Sequence, residues 1–100
     1  MPLSGKQRRY LRGLGHNLEP IVQVGKEGLT DGVSSAVDAA LKQHELIKVR
    51  IGTECPDDRH DVAERLAPLV KSEVAQILGR TMLLWRKRPK DSKIQLPKEA

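Results

Sequence analysis

The tetrad Gly25-Lys26-Glu27-Gly28 carries the clearest chemistry in this 100-residue chain. A β-branched run, Ile21-Val22-Gln23-Val24, leads into it, and a helical apolar pattern beginning at Leu29 follows it. Two glycines at such a junction permit positive φ angles and let a ligand approach with no Cβ in the way. The next helix adds free amides and the positive end of its dipole, and Lys26 adds a full charge. That combination asks for an anion, most naturally a backbone phosphate. Glu27 places a carboxylate in the same loop and weakens phosphate binding unless it points away. The bland alternative is an ordinary tight turn, where glycine is the usual residue.

Competing chemistries find little support. Neither GxxxxGK[ST] nor GxGxxG occurs, so no nucleotide or dinucleotide site is expected. Cys55, His16, His44 and His60 show no C-x-x-C or H-x-x-x-H spacing, and His44 falls on the apolar stripe of a helix. Helix-end or packing roles suit them better than metal ligation. Cys55 stands beside Pro56 and two aspartates, with no base or cation near it to favour a thiolate. Asp57, Asp58, Asp61 and Glu64 gather where a helix begins, and carboxylates there favour its dipole. Neither an enzyme nor a cofactor is expected.

Charge narrows the partners. Eighteen Lys and Arg against thirteen Asp and Glu leave a net charge of +5. The balance is +3 over residues 1–28, −3 over 29–75 and +5 over 76–100. A fold that joins the two ends creates one positive face and one negative one. No apolar run approaches the roughly 18 residues that span a bilayer, and the N-terminus does not read as a secretory signal. A single cysteine excludes an internal disulfide framework. The expectation is a cytoplasmic domain with no membrane partner, and a monomer.

The elements that position the tetrad can be read in order. Ser4 and Gln7 fit a capping box ahead of a short helix through Leu11 and Leu14, with Gly15 as its stop. Lys6, Arg8, Arg9 and Arg12 give that helix a basic side. Ile21–Val24 reads as a buried strand. Leu29, Val33, Ala36, Val37, Ala40, Leu41 and His44 form the stripe of a second helix, capped by Thr30 or Asp31. Leu46–Ile51 alternates as a strand with one wetter face. Val62, Ala63, Leu66, Leu69 and Val70 outline a third helix, which Pro68 should kink or restart. Val74–Leu78 and Thr81–Arg86 flank Gly79-Arg80, a hairpin signal. The order α-β-α-β-α-β-β gives an α/β (α+β) single domain, with a four-stranded mixed sheet and three helices. A basic tail, residues 87–100, is loosely held apart from docking of Ile94 and Leu96.

A GxxG loop that clamps the nucleic-acid backbone is the hallmark of one class of RNA-binding module. Tyr10 and Trp85 with no Phe are too few for an aromatic stacking platform, so affinity should come from phosphate contacts and shape. Trp85 reads as a packing residue, while Tyr10 is left open between packing and stacking. The candidate RNA-binding residues are Gly25, Lys26, Glu27 and Gly28, then Lys6, Arg8, Arg9 and Arg12, then Lys48, Arg50, Arg80, Arg86 and the tail lysines. The alternative reading is a protein-interaction module whose acidic segment, Asp57 to Glu64, docks a basic partner.

Three segments resemble a known family. Gly25-Lys26-Glu27-Gly28-Leu29-Thr30, His44-Glu45-Leu46-Ile47-Lys48-Val49-Arg50-Ile51 and Gln76-Ile77-Leu78-Gly79-Arg80-Thr81-Met82-Leu83-Leu84-Trp85-Arg86 look like the bacterial single-domain CRM proteins, the YhbY-like family. Leu3-Ser4-Gly5-Lys6-Gln7, Tyr10-Leu11-Arg12 and Lys93-Ile94-Gln95-Leu96-Pro97 extend the likeness across residues 3–97. The resemblance implies a fold similar to the C-terminal domain of translation initiation factor three. It also implies RNA binding through the GxxG loop and its basic surroundings. The implied partners are ribosomal RNA in precursors of the large ribosomal subunit, during assembly, and ribosomal proteins.

Overall fold

Seven elements follow the expected order in the computed structural model, which describes residues 3–97. Met1, Pro2 and the last three residues of the tail lie outside the described residues. The helices are α1 (Gly5–Gly15), α2 (Asp31–His44) and α3 (Arg59–Leu69). The strands are β1 (Pro20–Val24), β2 (Leu46–Ile51), β3 (Glu73–Leu78) and β4 (Thr81–Trp85). The sheet order is β1-β2-β4-β3. β1 runs parallel to β2, whereas β4 is antiparallel to both β2 and β3.

Alternation along β2 divides the interior into two cores. Ile47, Val49 and Ile51 face α2 and α3, where they meet Val37, Leu41, Val62, Leu66, Met82 and Leu84. Leu46 points the other way and joins Leu3, Leu11, Ala75 and Leu83 beneath α1. The helices therefore cover opposite faces of the sheet. Leu11 is the fully buried anchor of α1, and burial of a leucine stabilises by about 1.5–3 kcal/mol.

Local chemistry sets the helix ends. Ser4 accepts the Gln7 amide at 3.1 Å while the Gln7 side chain accepts the Ser4 amide at 3.0 Å, completing the capping box. Thr30, rather than Asp31, caps α2 by accepting the Val33 amide at 3.2 Å. Asp58 caps α3 by accepting the His60 amide at 2.9 Å. Gly79 takes a φ of +58° in the two-residue β3–β4 turn, as the first position of a II′-type turn requires.

Four sequence expectations are corrected. β1 is an edge strand, so Val24 alone of its residues is buried. Ala36 and His44 face outward from α2, because its contact with the sheet is narrower than its apolar stripe. The stop at Gly15 falls where expected but its reason is corrected: α1 ends there without a left-handed turn, and glycine is needed for packing, since an added Cβ would lie 2.8 Å from a Leu83 methyl. α3 does not restart after Pro68. The helix ends one residue later, where Lys71 N–H donates to the Pro68 carbonyl at 3.2 Å and Ser72 N–H to the Ala67 carbonyl at 2.9 Å. That pair of bonds is a Schellman closure, which satisfies the last carbonyls of the helix.

Glu45 ties the C-terminal segment to the domain. It follows α2 with a positive φ (65°) and is 1% exposed. One carboxylate oxygen accepts the Lys93 amide at 2.6 Å and the Ile94 amide at 3.3 Å, and the other accepts the Ser92 hydroxyl at 2.8 Å. Ile94 and Leu96 consequently pack on the α1-side core beside Trp85. Burial opposes ionisation of Glu45, but the Ser92 hydroxyl and the backbone amides outweigh it and hold the carboxyl below its ordinary value of 4.5. Because the folded pKa is depressed, this contribution to stability is complete above about pH 4.5 and declines as pH falls toward the folded value. Glu45→Ala should destabilise the domain by about 2–3 kcal/mol at neutral pH and flatten the acid limb of its stability profile. Denaturant titrations from neutral to acid pH check both effects, with amide exchange at residues 92–94 reporting release of the tail.

Candidate nucleic-acid interface

β1 and β2 are parallel, so the loops that leave their C-terminal ends emerge side by side, and the β3–β4 turn joins them there. Gly52 N–H donates to the Val24 carbonyl at 2.8 Å, and the Arg80 guanidinium reaches the Gly52 carbonyl at 3.4 Å. Three connections thus meet at one end of the sheet. The sequence order alone does not show this proximity.

Within the tetrad, Gly28 N–H donates to the Gly25 carbonyl at 3.0 Å, closing a turn with Lys26 and Glu27 exposed at its tip. The two glycines have different physical reasons. Gly28 has a φ of +72°, and an added Cβ would stand 2.9 Å from a carboxylate oxygen of Asp57. The fold itself requires glycine there. Gly25 has no positive φ, and an added Cβ would meet no atom within 4 Å. The expectation that both glycines supply positive φ is therefore corrected for Gly25. The fold makes no demand for glycine at that position, and the space in front of it is open.

Charges around the turn are mixed. Lys26, Arg50 and Arg80 are exposed, and so are Glu27 and Asp58. Asp57 is paired with Arg65 at 2.8 Å, and Asp58 is engaged in capping α3. The acidic segment therefore has local structural work at its start. The main cationic surface lies on α1, whose Lys6, Arg8, Arg9 and Arg12 are all exposed with no acidic residue in the helix. α1 and the C-terminal segment cover only part of their sheet face. Toward the GxxG end, Gln23, Arg50 and Leu78 are left exposed, the last at 68%. Lys48 lies between, with its ammonium 3.4 Å from the His16 carbonyl at the end of α1.

Arg86 stands apart from this surface. Its guanidinium donates to the Asp38 carboxylate at 2.7 Å, to the Val70 carbonyl at 2.8 Å and to the Asp38 carbonyl at 3.1 Å. Its hydrogen bond to Asp38 holds that carboxyl below the usual aspartate range, against partial desolvation and with help from Lys42. The side chain braces α2 and the end of α3 against β4, at the opposite end of the sheet from the turn. Trp85 lies beside Ile94 and Leu96, with its indole N–H buried and unpartnered. Tyr10 is 42% exposed on α1. Among the described residues no three His, Cys, Asp or Glu side chains gather where they could hold a metal ion, and no helix is long and apolar enough to cross a membrane. Sequence reasoning passed over Glu45, whose role shows only once the tail has returned to it.

Together these features define a class: a small α/β domain that presents a GxxG turn at one end of a mixed sheet, with a basic helix across the opposite face from its other two helices. The CRS1 / YhbY (CRM) domain model matches residues 3–86, and the chain belongs to that family. It is 41% identical over 95 residues to the probable RNA-binding protein YqeI of Bacillus subtilis, covering 95% of this chain and 99% of that one. It is 36% identical over 97 residues to a protein of Haemophilus influenzae named RNA-binding protein, with 97% of each chain covered. A solution structure of SAV1595 from Staphylococcus aureus, a candidate RNA-binding protein, superposes with a TM-score of 0.82. It has 39% identity, with 95% of this chain and 99% of that one covered.

Substitution separates the two glycines. Gly28→Ala should cost about 1–3 kcal/mol through its left-handed backbone and the Asp57 contact. Gly25→Ala should leave stability within about 0.5 kcal/mol of the wild type. Chemical denaturation of the two variants provides the comparison.

Proposed function

We propose that this chain is a non-enzymatic RNA-binding protein of the cytoplasm that engages ribosomal RNA in precursors of the large ribosomal subunit. Gly25 carries the reading, since open space before a glycine that the fold does not need suits close approach of a sugar–phosphate backbone. Lys26 at the tip supplies an exposed charge, with Arg50 on the adjacent β2 and Arg80 in the β3–β4 turn. Lys6, Arg8, Arg9 and Arg12 extend the cationic surface over α1. The names of the relatives support RNA as the partner, and the resemblance to the YhbY-like proteins supports the assembly role.

The mechanism is positional. The turn holds phosphates, the exposed cations release counterions, and the rigid sheet fixes the bound segment in one conformation while the particle matures. With few exposed aromatics, base stacking contributes little and affinity falls steeply with salt. Binding should be measured by fluorescence anisotropy with a large-subunit ribosomal RNA fragment at several salt concentrations. Gly25→Ala and Lys26→Glu should each weaken binding by about tenfold or more while thermal unfolding stays unchanged. Wild-type affinity in both variants would remove the turn from the interface. Sedimentation of cell extracts tests the cellular role: the protein should travel with large-subunit precursors and be absent from mature ribosomes.

A further inference from the structure

A second cationic surface lies at the other end of the sheet. A cleft of about 540 Å³ opens between the end of α2, the end of α3 and the chain beyond β4. Its apolar lining is the exposed Pro89 over the fully buried Leu41, and Lys42, Lys71, Lys87, Arg88 and Lys90 line the rest. Lys42 is 74% exposed at its side chain, and Lys71, Lys87 and Lys90 are exposed too. Asp91 is the one carboxylate in the lining, and Asp38 behind it is already bonded to Arg86 and Lys42.

Lys71 is the informative residue. It occupies the position after the C-cap of α3 with a φ of 51°, in the Schellman closure that ends the helix. Glycine is the usual residue at that position because it has no Cβ to strain. Here a lysine takes it, and its ammonium makes no hydrogen bond or ion pair among the described residues. The left-handed backbone serves the closure of the helix, but the lysine side chain adds nothing there that glycine would lack, while it places a cation in the lining of the cleft. Strain of this kind concentrates at functional sites.

We infer that this cleft is a second RNA-backbone site, engaged by the same molecule that the GxxG turn holds. The inference rests on the reading of the chain as an RNA binder. A row of cations drawn from three separate segments, of which only Lys42 on α2 and the recessed Arg86 are paired with a carboxylate among the described residues, suits a continuous polyanion. The exposed Pro89 among them suits the flat face of a base or sugar, and the cleft lining has no aromatic ring to read it. The turn lies at the Ile51 end of β2 and the cleft at the Leu46 end, so about 20 Å of strand separates them. An RNA several nucleotides long reaches both, whereas a single nucleotide reaches one.

Lys71→Gly tests the site, because the fold and the cleft make opposite demands on that residue. Relief of the strain should raise the thermal midpoint by about 4 °C. RNA affinity should nevertheless fall by about threefold or more, with the salt slope shallower by about 0.7 for each phosphate of a single strand that the variant leaves unneutralised. Lys90→Ala should weaken RNA binding similarly with the midpoint unchanged, and Gly25→Ala runs in parallel. If both lysine variants bind RNA with wild-type affinity and slope while Gly25→Ala binds weakly, the cleft is excluded and the turn stands. If the lysine variants bind weakly and Gly25→Ala does not, the cleft stands and the turn is excluded. A glutamate-rich peptide carrying leucine that binds wild type but not Lys71→Gly, with RNA binding unaffected, would make the cleft a protein site and overturn the inference.

Discussion

β2 is hydrogen-bonded along both edges, covered on one face by α2 and α3 and at its Leu46 end on the other by α1, and the rest of the molecule is arranged around that strand. Its parallel edge demands a crossover, which α2 supplies, so the chain leaves β1 and β2 at the same end. Its antiparallel edge takes β4, which brings the β3–β4 turn to that end as well. The same pairing gathers the end of α2, the end of α3 and the start of the C-terminal segment at the opposite end. The GxxG turn and the lysine-lined cleft are thus the two ends of one strand, fixed at a set spacing by the most buried part of the protein.

The cations are divided between holding the fold and facing outward. Arg86 uses its guanidinium on Asp38 and the Val70 carbonyl, and Lys48 reaches back to the end of α1. Near the turn, Lys26, Arg50 and Arg80 stand among Glu27, Asp57 and Asp58, so the local field is modest. In the proposed reading the turn's fitness for a phosphate strand lies in backbone geometry at Gly25, and most of the outward-facing positive charge lies on α1 and around the far cleft. Charges separated by more than about 10 Å are largely screened at moderate salt, so each surface acts on the segment directly before it.

Non-glycine residues with positive φ gather away from the turn. Glu45, Lys71 and Asp91 all take it, each at a cost of about 1–2 kcal/mol. For Glu45 the buried carboxylate offsets that cost by collecting the Ser92 hydroxyl and two tail amides. The resulting tether seats Ile94 and Leu96 on the second core and holds the polypeptide beyond β4 against the domain. The cleft wall therefore depends on Glu45, although none of the cleft's cations belongs to it.

Local signals in the chain were enough to settle the element order, the Ser4 capping box, the hairpin at Gly79-Arg80 and the GxxG tetrad, because spacing and turn chemistry act over a few residues. The basic side of α1 was legible for the same reason. Burial was less so: Ala36 and His44 match the period of α2 yet face solvent, and β1 reads as buried yet lies at an edge, since only packing partners decide which part of a stripe is covered. Gly15 and Gly25 look alike in sequence, but Leu83 fills the space beside one and nothing fills the space beside the other. The meeting of three connections at one end, the capture of Arg86 by Asp38 and the tether from Glu45 to residues 92–94 join positions up to 49 residues apart. Such contacts arise from the pairing and closure of the whole chain, and no local pattern encodes them.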